Sequence, residues 1–266
     1  FLRPPDPSAA SVFSARAVQS SAAGSTPPPP GLGPPKYFSI ISNSSGHIFS
    51  ATFASGVIRS TDNGETWKSI NGGLSPTSFH ALGINASGHI FAGTNGSGVW
   101  LSTDNGDTWS PTGEGLRGKV VYSLAICSSG HVFAGTHESG VWRSTDRGKT
   151  WMPSGVKNAV VYALVEDSSG HIFAGTKDGV WRSGDQGRTW SPIKTGMSEP
   201  VLHALNKNAS GEIFAGTSGS GIFRLARNSD IWRKASTGLN DSIIHSLVLN
   251  AKGWVFAGGG AGVCRS

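Results

Sequence analysis

Along most of the chain, apolar and polar residues alternate in short runs separated by small polar turns. One stretch shows the pattern: Phe79 to Ile84 alternates, Asn85-Ala86-Ser87-Gly88 is polar, and His89 to Thr94 forms a second run. A glycine loop from Asn95 to Gly98, a third run from Val99 to Ser102, a polar stretch and a fourth run starting at Trp109 complete the unit. Alternation over four to six residues, bounded by Gly, Asn and Ser, predicts half-buried strands joined by tight turns. The runs are rich in β-branched and aromatic side chains, so the expectation is four strands per unit and almost no helix.

The unit returns. The glycine before the second run is Gly46, Gly88, Gly130, Gly170, Gly211 and Gly253, giving six copies at steps of 42, 42, 40, 41 and 42 residues. A period of that size is the mark of a repeat architecture. One four-stranded sheet cannot bury both of its faces, whereas six arranged radially bury each face against the next. The predicted fold is therefore all-β: a six-bladed β-propeller of four-stranded antiparallel blades. All nine tryptophans lie inside the repeats, as expected if the core is built between blades.

Two segments are distinguished: residues 1–32, a Pro/Ser/Ala-rich tail, and residues 33–266, the propeller. The tail holds Pro27 to Pro30 and has almost no periodic apolar pattern. The sixth copy stops at Val263-Cys264-Arg265-Ser266, before a fourth strand, and Gly31 to Phe38 aligns with Gly73 to His80 at the tail of one. The expectation is that a segment within residues 11–32, with Val12 to Val18 the best stretch, supplies the outer strand of the last blade and closes the ring. The alternative is a chain that continues past Ser266 into further blades. The first residue is Phe1, not Met, and a processed or fragmentary N-terminus is expected.

Between the third and fourth runs lies a phrase that recurs: Ser60-Thr61-Asp62-Asn63-Gly64-Glu65-Thr66-Trp67, then Ser102 to Trp109, Ser144 to Trp151 and Ser183 to Trp190. A fifth copy, Leu225 to Trp232, keeps the tryptophan alone in register. The Asp can accept hydrogen bonds from nearby backbone donors, and the Gly permits a twist that a Cβ would oppose. Ser-x-Asp-x-Gly-x-Thr-Trp resembles the Asp-box, or bacterial neuraminidase repeat, of a large group of β-propellers. That group includes sialidases, sortilin-type receptors, xyloglucan-cleaving glycosidases and photosystem II assembly factors. The resemblance implies that the box sits on the outer rim, away from any site. Asp62, Asp104, Asp146, Asp185, Trp67, Trp109, Trp151 and Trp190 are accordingly read as structural.

Charge and composition narrow the picture further. A net charge of +6 spread over the blades, with no basic run and no nucleic-acid motif, gives no reason to expect nucleic acid as a partner. No stretch is long and apolar enough to be a membrane span. Cys127 and Cys264 fall three blades apart, so no disulfide is expected between them. They leave the compartment open; an extracellular, cell-surface or other exported setting is the expectation, and the oligomeric state is not legible.

The enzymatic possibility can be tested against the residues. Sialidase chemistry needs an arginine cluster, a Tyr nucleophile with a Glu partner, and an acid/base group. Arg59, Arg143, Arg182, Arg224 and Arg265 recur at one repeat position, which points to pairing with neighbouring acids or carbonyls. Glu138, Glu166, Asp167, Asp178 and Glu199 show no paired logic for glycosidase work. No residue is assigned a catalytic role, and neither a metal site nor a cofactor is expected.

Eight residues before each marker glycine stand Phe38, His80, Tyr122, Tyr162, His203 and His245. Such a ring would surround the mouth of the central channel, where it could stack on a sugar or a partner side chain. On the same face the second-to-third-strand loops vary over a constant scaffold, and Asn95, His137, Glu138, Lys177 and Asp178 are the loop candidates. A second His column, His47, His89, His131 and His171, is read as repeat packing. The expectation is a non-catalytic binding or scaffolding propeller for a protein or glycan partner. The alternatives are a glycosidase-like hydrolase of the Asp-box group and a photosystem assembly-factor-like protein.

Overall fold

The computed structural model describes residues 37–265 apart from 54, 76–77, 198–200, 237–241, 251–252 and 261. The expected closing strand within residues 11–32 and the carboxylate of Glu199 lie outside the described residues. Among those described, the strands form six antiparallel sheets with consecutive neighbours, and there is no helix. The second blade is typical, with strands Phe79–Ile84, Ile90–Thr94, Val99–Ser102 and Ser110–Pro111. One row of cross-strand partners runs Leu82, Ala92, Trp100, Pro111. The molecule is a six-bladed β-propeller.

Burial explains why a blade cannot stand alone. Every residue of the second strand is buried in the second to fifth blades, because that strand is covered on both faces. Five apolar clusters of buried residues fall at the five junctions between consecutive blades. Phe49 and Ile70 of the first blade meet Phe79 and Trp109 of the second, and Phe91 and Val99 of the second meet Val121 and Trp151 of the third. Each fully buried Phe or Leu is worth about 1.5–3 kcal/mol. The favourable energy of the fold therefore sits between blades, as the repeat pattern predicts.

In the second to fifth blades, close approach of the next blade is accommodated by one glycine in the second strand, where the first blade carries Ala51. A Cβ on Gly93 would lie 2.8 Å from a methyl of Val121 in the next blade, and one on Gly135 would lie 2.7 Å from Val161. At the rim, the box tryptophan ties the blades with a hydrogen bond. The indole N–H of Trp109 donates to the Ile70 carbonyl at 2.8 Å, that of Trp151 to Thr112 Oγ1 at 3.1 Å, and that of Trp190 to the Ser154 carbonyl at 2.9 Å.

The sixth blade has three strands among the described residues, Ile244–Leu249, Val255–Gly259 and Gly262–Arg265. Phe256 is half-buried, whereas its counterparts Phe49, Phe91 and Phe133 are 0% exposed. Cys127 is buried and Cys264 partly exposed, and both are free thiols. No helix among the described residues is long and apolar enough to cross a membrane.

Candidate functional site

Within the innermost strand of every blade, the pairing register with the second strand slips by one residue. The slips fall between Tyr37 and Ser39, Phe79 and Ala81, Val121 and Ser123, Val161 and Ala163, Leu202 and Ala204, and Ile244 and Ser246. The extra residue in each bulge is thus Phe38, His80, Tyr122, Tyr162, His203 or His245. A bulge bends the strand and re-aims the side chain of the unpaired residue. In the second to sixth blades it turns one ring each toward a shared pocket. The side chain of Phe38 lies outside the described set; the other five are half-buried.

These five form a continuous chain of ring contacts. His80 meets Tyr122 edge-on at 5.1 Å between centroids, Tyr122 stacks on Tyr162 at 6.0 Å, Tyr162 meets His203 at 5.5 Å, and His203 meets His245 at 5.3 Å. Spacings of 4.5–7 Å are those of favourable aromatic pairs, worth about 0.5–1.5 kcal/mol each beyond area burial. The rings surround a narrow pocket of about 40 Å³, floored by Leu124, Leu164 and Leu205. That volume admits a few waters or a side-chain tip. A larger ligand would lie across the mouth.

Of the loop candidates, His137 reaches this ring, its imidazole edge-on to Tyr122 at 5.6 Å. Its neighbour Glu138 is exposed with a positive φ of 60°, and the two side chains approach to 4.0 Å. Asn95 is bridged to Val120 in the loop before the third blade, and its N–H donates to the Ser78 carbonyl at the start of its own blade. Lys177 and Asp178 are exposed at the tip of the fourth blade's loop.

On the opposite face, the boxes form a uniform set of clasps. In each, the Ser hydroxyl donates to the Asp and accepts the Gly N–H: Ser144 Oγ lies 2.7 Å from Asp146 Oδ1 and 2.7 Å from Gly148 N. The Asp also accepts the Thr N–H and hydroxyl, at 2.9 and 2.6 Å for Thr150. Hydrogen bonds from the Thr hydroxyl, the Thr N–H and the Ser hydroxyl hold Asp62 and Asp104 down to about 2. Asp146 also falls to about 2, because although partial burial pushes it up, its hydrogen bonds prevail. Asp185 is held lower still by the same Thr and Ser donors. Both oxygens of each carboxylate are thus engaged within the turn of its own box, and the indoles of Trp67 and Trp109 donate to the Gly64 and Gly106 carbonyls of theirs.

The repeated arginines find partners as their recurrence implies. Arg59 donates to the Asn105 carbonyl at 2.7 Å and pairs with Asp107 at 3.0 Å; Arg143 donates to the Gln186 carbonyl at 2.8 Å. Arg182 pairs with Asp230, Arg224 with Glu212, and Arg265 covers the Trp254 ring. Glu166 is engaged by the N–H and hydroxyl of Ser128 at 2.9 and 3.0 Å. In the second His column, His47 is paired with Asn105, and burial together with Arg143 and Arg188 pushes His131 down. Among the described residues, no group of three His, Cys, Asp or Glu side chains is placed to hold a metal ion.

Comparison with known proteins agrees with this geometry. The BNR/Asp-box repeat model matches residues 58–69, and the DUF6242 beta propeller domain model matches residues 74–204. The chain is a six-bladed β-propeller that carries the BNR/Asp-box repeat. A search of curated proteins finds no match. Solved structures do match, among them an ancestral GH74 enzyme at 19% identity and TM-score 0.75, covering 90% of this propeller and 37% of that chain. YCF48 bound to D1 peptide matches at 20% identity and TM-score 0.66, with 84% and 76% covered. PorZ, a surface component of the type-IX secretion system of Porphyromonas gingivalis, matches at 18% identity and TM-score 0.68, with 86% and 38% covered. The propeller spans well under half of the GH74 and PorZ chains. At these identities the likeness establishes the fold.

Two features of the site escaped the sequence reading. Repeat alignment located the ring residues, but nothing in the residue pattern revealed the bulge that aims them. The second is a cleft between the fourth and fifth blades, described below, whose signals were three separate departures from the repeat.

Proposed function

We propose that this propeller is a non-catalytic binding or scaffolding protein that receives a partner across its channel mouth, with a segment of protein chain as the preferred ligand. The observation that carries this reading is the chain of bulge-set rings from His80 through Tyr122, Tyr162 and His203 to His245. Such a surface offers aromatic faces for apolar or cationic side chains and phenol or imidazole tips for backbone groups. Its narrow pocket, lined by these rings, accepts a side-chain tip, which supports a peptide ligand. The neighbour YCF48, solved bound to D1 peptide, supports a protein partner.

A glycosidase-like reading is favoured by the GH74 neighbours. It requires two carboxylates facing each other across the mouth, where the loop acids Glu138 and Asp178 are the candidates. Screening the purified chain on peptide and glycan arrays, alongside hydrolysis of a panel of glycosides, separates the readings. Peptide capture without turnover is the expected result. Hydrolysis of any glycoside at an enzymatic rate would replace the binding reading with the hydrolase.

A further inference from the structure

A cleft of about 250 Å³ opens on the Asp-box face between the fourth and fifth blades. Three departures from the repeat meet there. At the turn after the innermost strand, Asn43 and Asn85 use one side-chain oxygen to accept the N–H groups two and four residues on. In the fourth blade this residue is Asp167. Its Oδ1 makes the same two bonds, at 2.8 and 2.9 Å, and the extra carboxylate oxygen lies 3.0 Å from Nδ1 of His171. The pair fixes the imidazole with its other edge toward the cleft.

The second departure is Gly184, standing where the other boxes carry Thr61, Thr103 and Thr145. A Cβ at this position would lie 3.5 Å from His171 Cδ2 and 3.8 Å from Nε2, so the missing side chain leaves that ring edge open. The third is the loss of the fifth box. Arg227-Asn228-Ser229-Asp230 replaces the Asp clasp; Asp230 instead reaches Arg182 Nη1 at 2.6 Å, and the Arg227 stem lies along Gly211. These residues are distant in sequence, yet the fold gathers them around one opening.

The cleft has an apolar floor of Phe173, Ile213 and Leu225, each at most 3% exposed, under a polar rim. Its carboxylates are already committed, Asp167 to two backbone N–H groups and His171, and Asp230 to Arg182. What remains is donor capacity. Arg182 has N–H groups beyond the one facing Asp230, and among the described residues no carboxylate lies within ion-pair distance of Arg227. We propose that this cleft is a binding site for a small organic anion, a carboxylate- or phosphate-bearing molecule of monosaccharide or amino-acid size. The anionic group sits between Arg182, Arg227 and His171, and the body of the ligand covers the apolar floor. The site lies on the face away from the channel mouth and is independent of the reading proposed for the ring.

The test is an NMR titration of the full chain with glucuronate, glucose 6-phosphate and uncharged glucose, following the amides of His171, Gly184, Gly211 and Ser229. At least one anionic probe should give saturable shifts at these amides, and the carboxylate and phosphate arms identify which group is preferred. Glucose should give none. Arg227→Gln should weaken binding about tenfold or more. Gly184→Thr restores the residue of the other boxes at a position without positive φ, so the fold is kept while the His171 edge is covered, and it should weaken binding by a similar factor. Absence of saturable binding tighter than about 10 mM for both anionic probes would overturn the proposal. So would equal binding of glucose, or unchanged affinity in both variants.

Discussion

Replacing Phe91 by Ala removes a side chain on which the second and third blades close. Phe91 is 0% exposed, sits among Val99, Leu116 and Trp151, and bears directly on the box of the next blade. A Cβ on Gly148, whose φ is +88°, would lie 2.8 Å from Phe91 Cε1. Truncation of a fully buried Phe costs about 3–5 kcal/mol, from lost transfer energy plus the cavity left behind. With a urea slope near 3 kcal/mol per molar, the unfolding midpoint should fall by about 1–1.7 M. Tryptophan fluorescence follows the transition, since Trp151 lies in the same cluster. Phe53→Ala, at a side chain 46% exposed, is the control and should change stability by less than about 0.5 kcal/mol. Gly148→Ala supplies a second check. It should be costly in the wild-type chain through both clash and backbone strain, and less costly beside Phe91→Ala, where only the strain remains, about 1–2 kcal/mol. A Phe91→Ala shift no larger than that of Phe53→Ala would refute the claim that the core lies between blades.

Three further outcomes are expected. Asp62, Asp104 and Asp146 titrate near 2 in the folded chain against an ordinary value of 3.8, so their clasps contribute stability that is complete above pH 3.8 and is lost as pH falls through about 2. Melting temperature should therefore drop between pH 4 and 2, and an Asp104→Asn/Asp146→Asn chain should show a shallower drop; parallel curves would contradict the clasp account. We propose that a segment of residues 11–32 pairs with Gly262–Arg265 and covers the half-buried Phe256, so deleting residues 1–32 should lower the melting temperature by several degrees. An unchanged melting curve would reject that strand. Trp109→Phe, which loses indole hydrogen bonds to the Ile70 and Gly106 carbonyls, should cost more than Trp67→Phe, whose indole bonds within its own box; equal urea midpoints would count against the cross-blade tie.

The blade count was legible because turn chemistry is local: the Gly that must take a positive φ before each second strand recurs six times, and an Asp that must accept from the Thr four residues on leaves a readable phrase in four of the blades. Ring positions such as Tyr122 and Tyr162 could likewise be read from repeat offset. Their orientation could not, because a bulge depends on the register of two strands and not on the bulged residue itself. The cleft was hidden for a related reason. Asp167, Gly184 and Arg227 each look like minor drift in a single repeat, and only the packing of the fourth blade on the fifth makes them neighbours. Asp167 stood among the acids without a partner and His171 within a packing column, so the contact between them was invisible until the turn was seen.

The central claim is that the bulge-set rings at the channel mouth receive the partner. The direct measurement is to probe the same peptide and glycan arrays with the wild-type chain and with Tyr122→Ala/Tyr162→Ala, then determine Kd for the strongest wild-type ligand. Both tyrosines are half-buried at the mouth, and truncating a central aromatic anchor costs about 2 kcal/mol or more. The account predicts at least about 30-fold weaker binding by the variant, with no turnover of the bound ligand by either chain. Equal affinity of the two proteins for every captured ligand would contradict it.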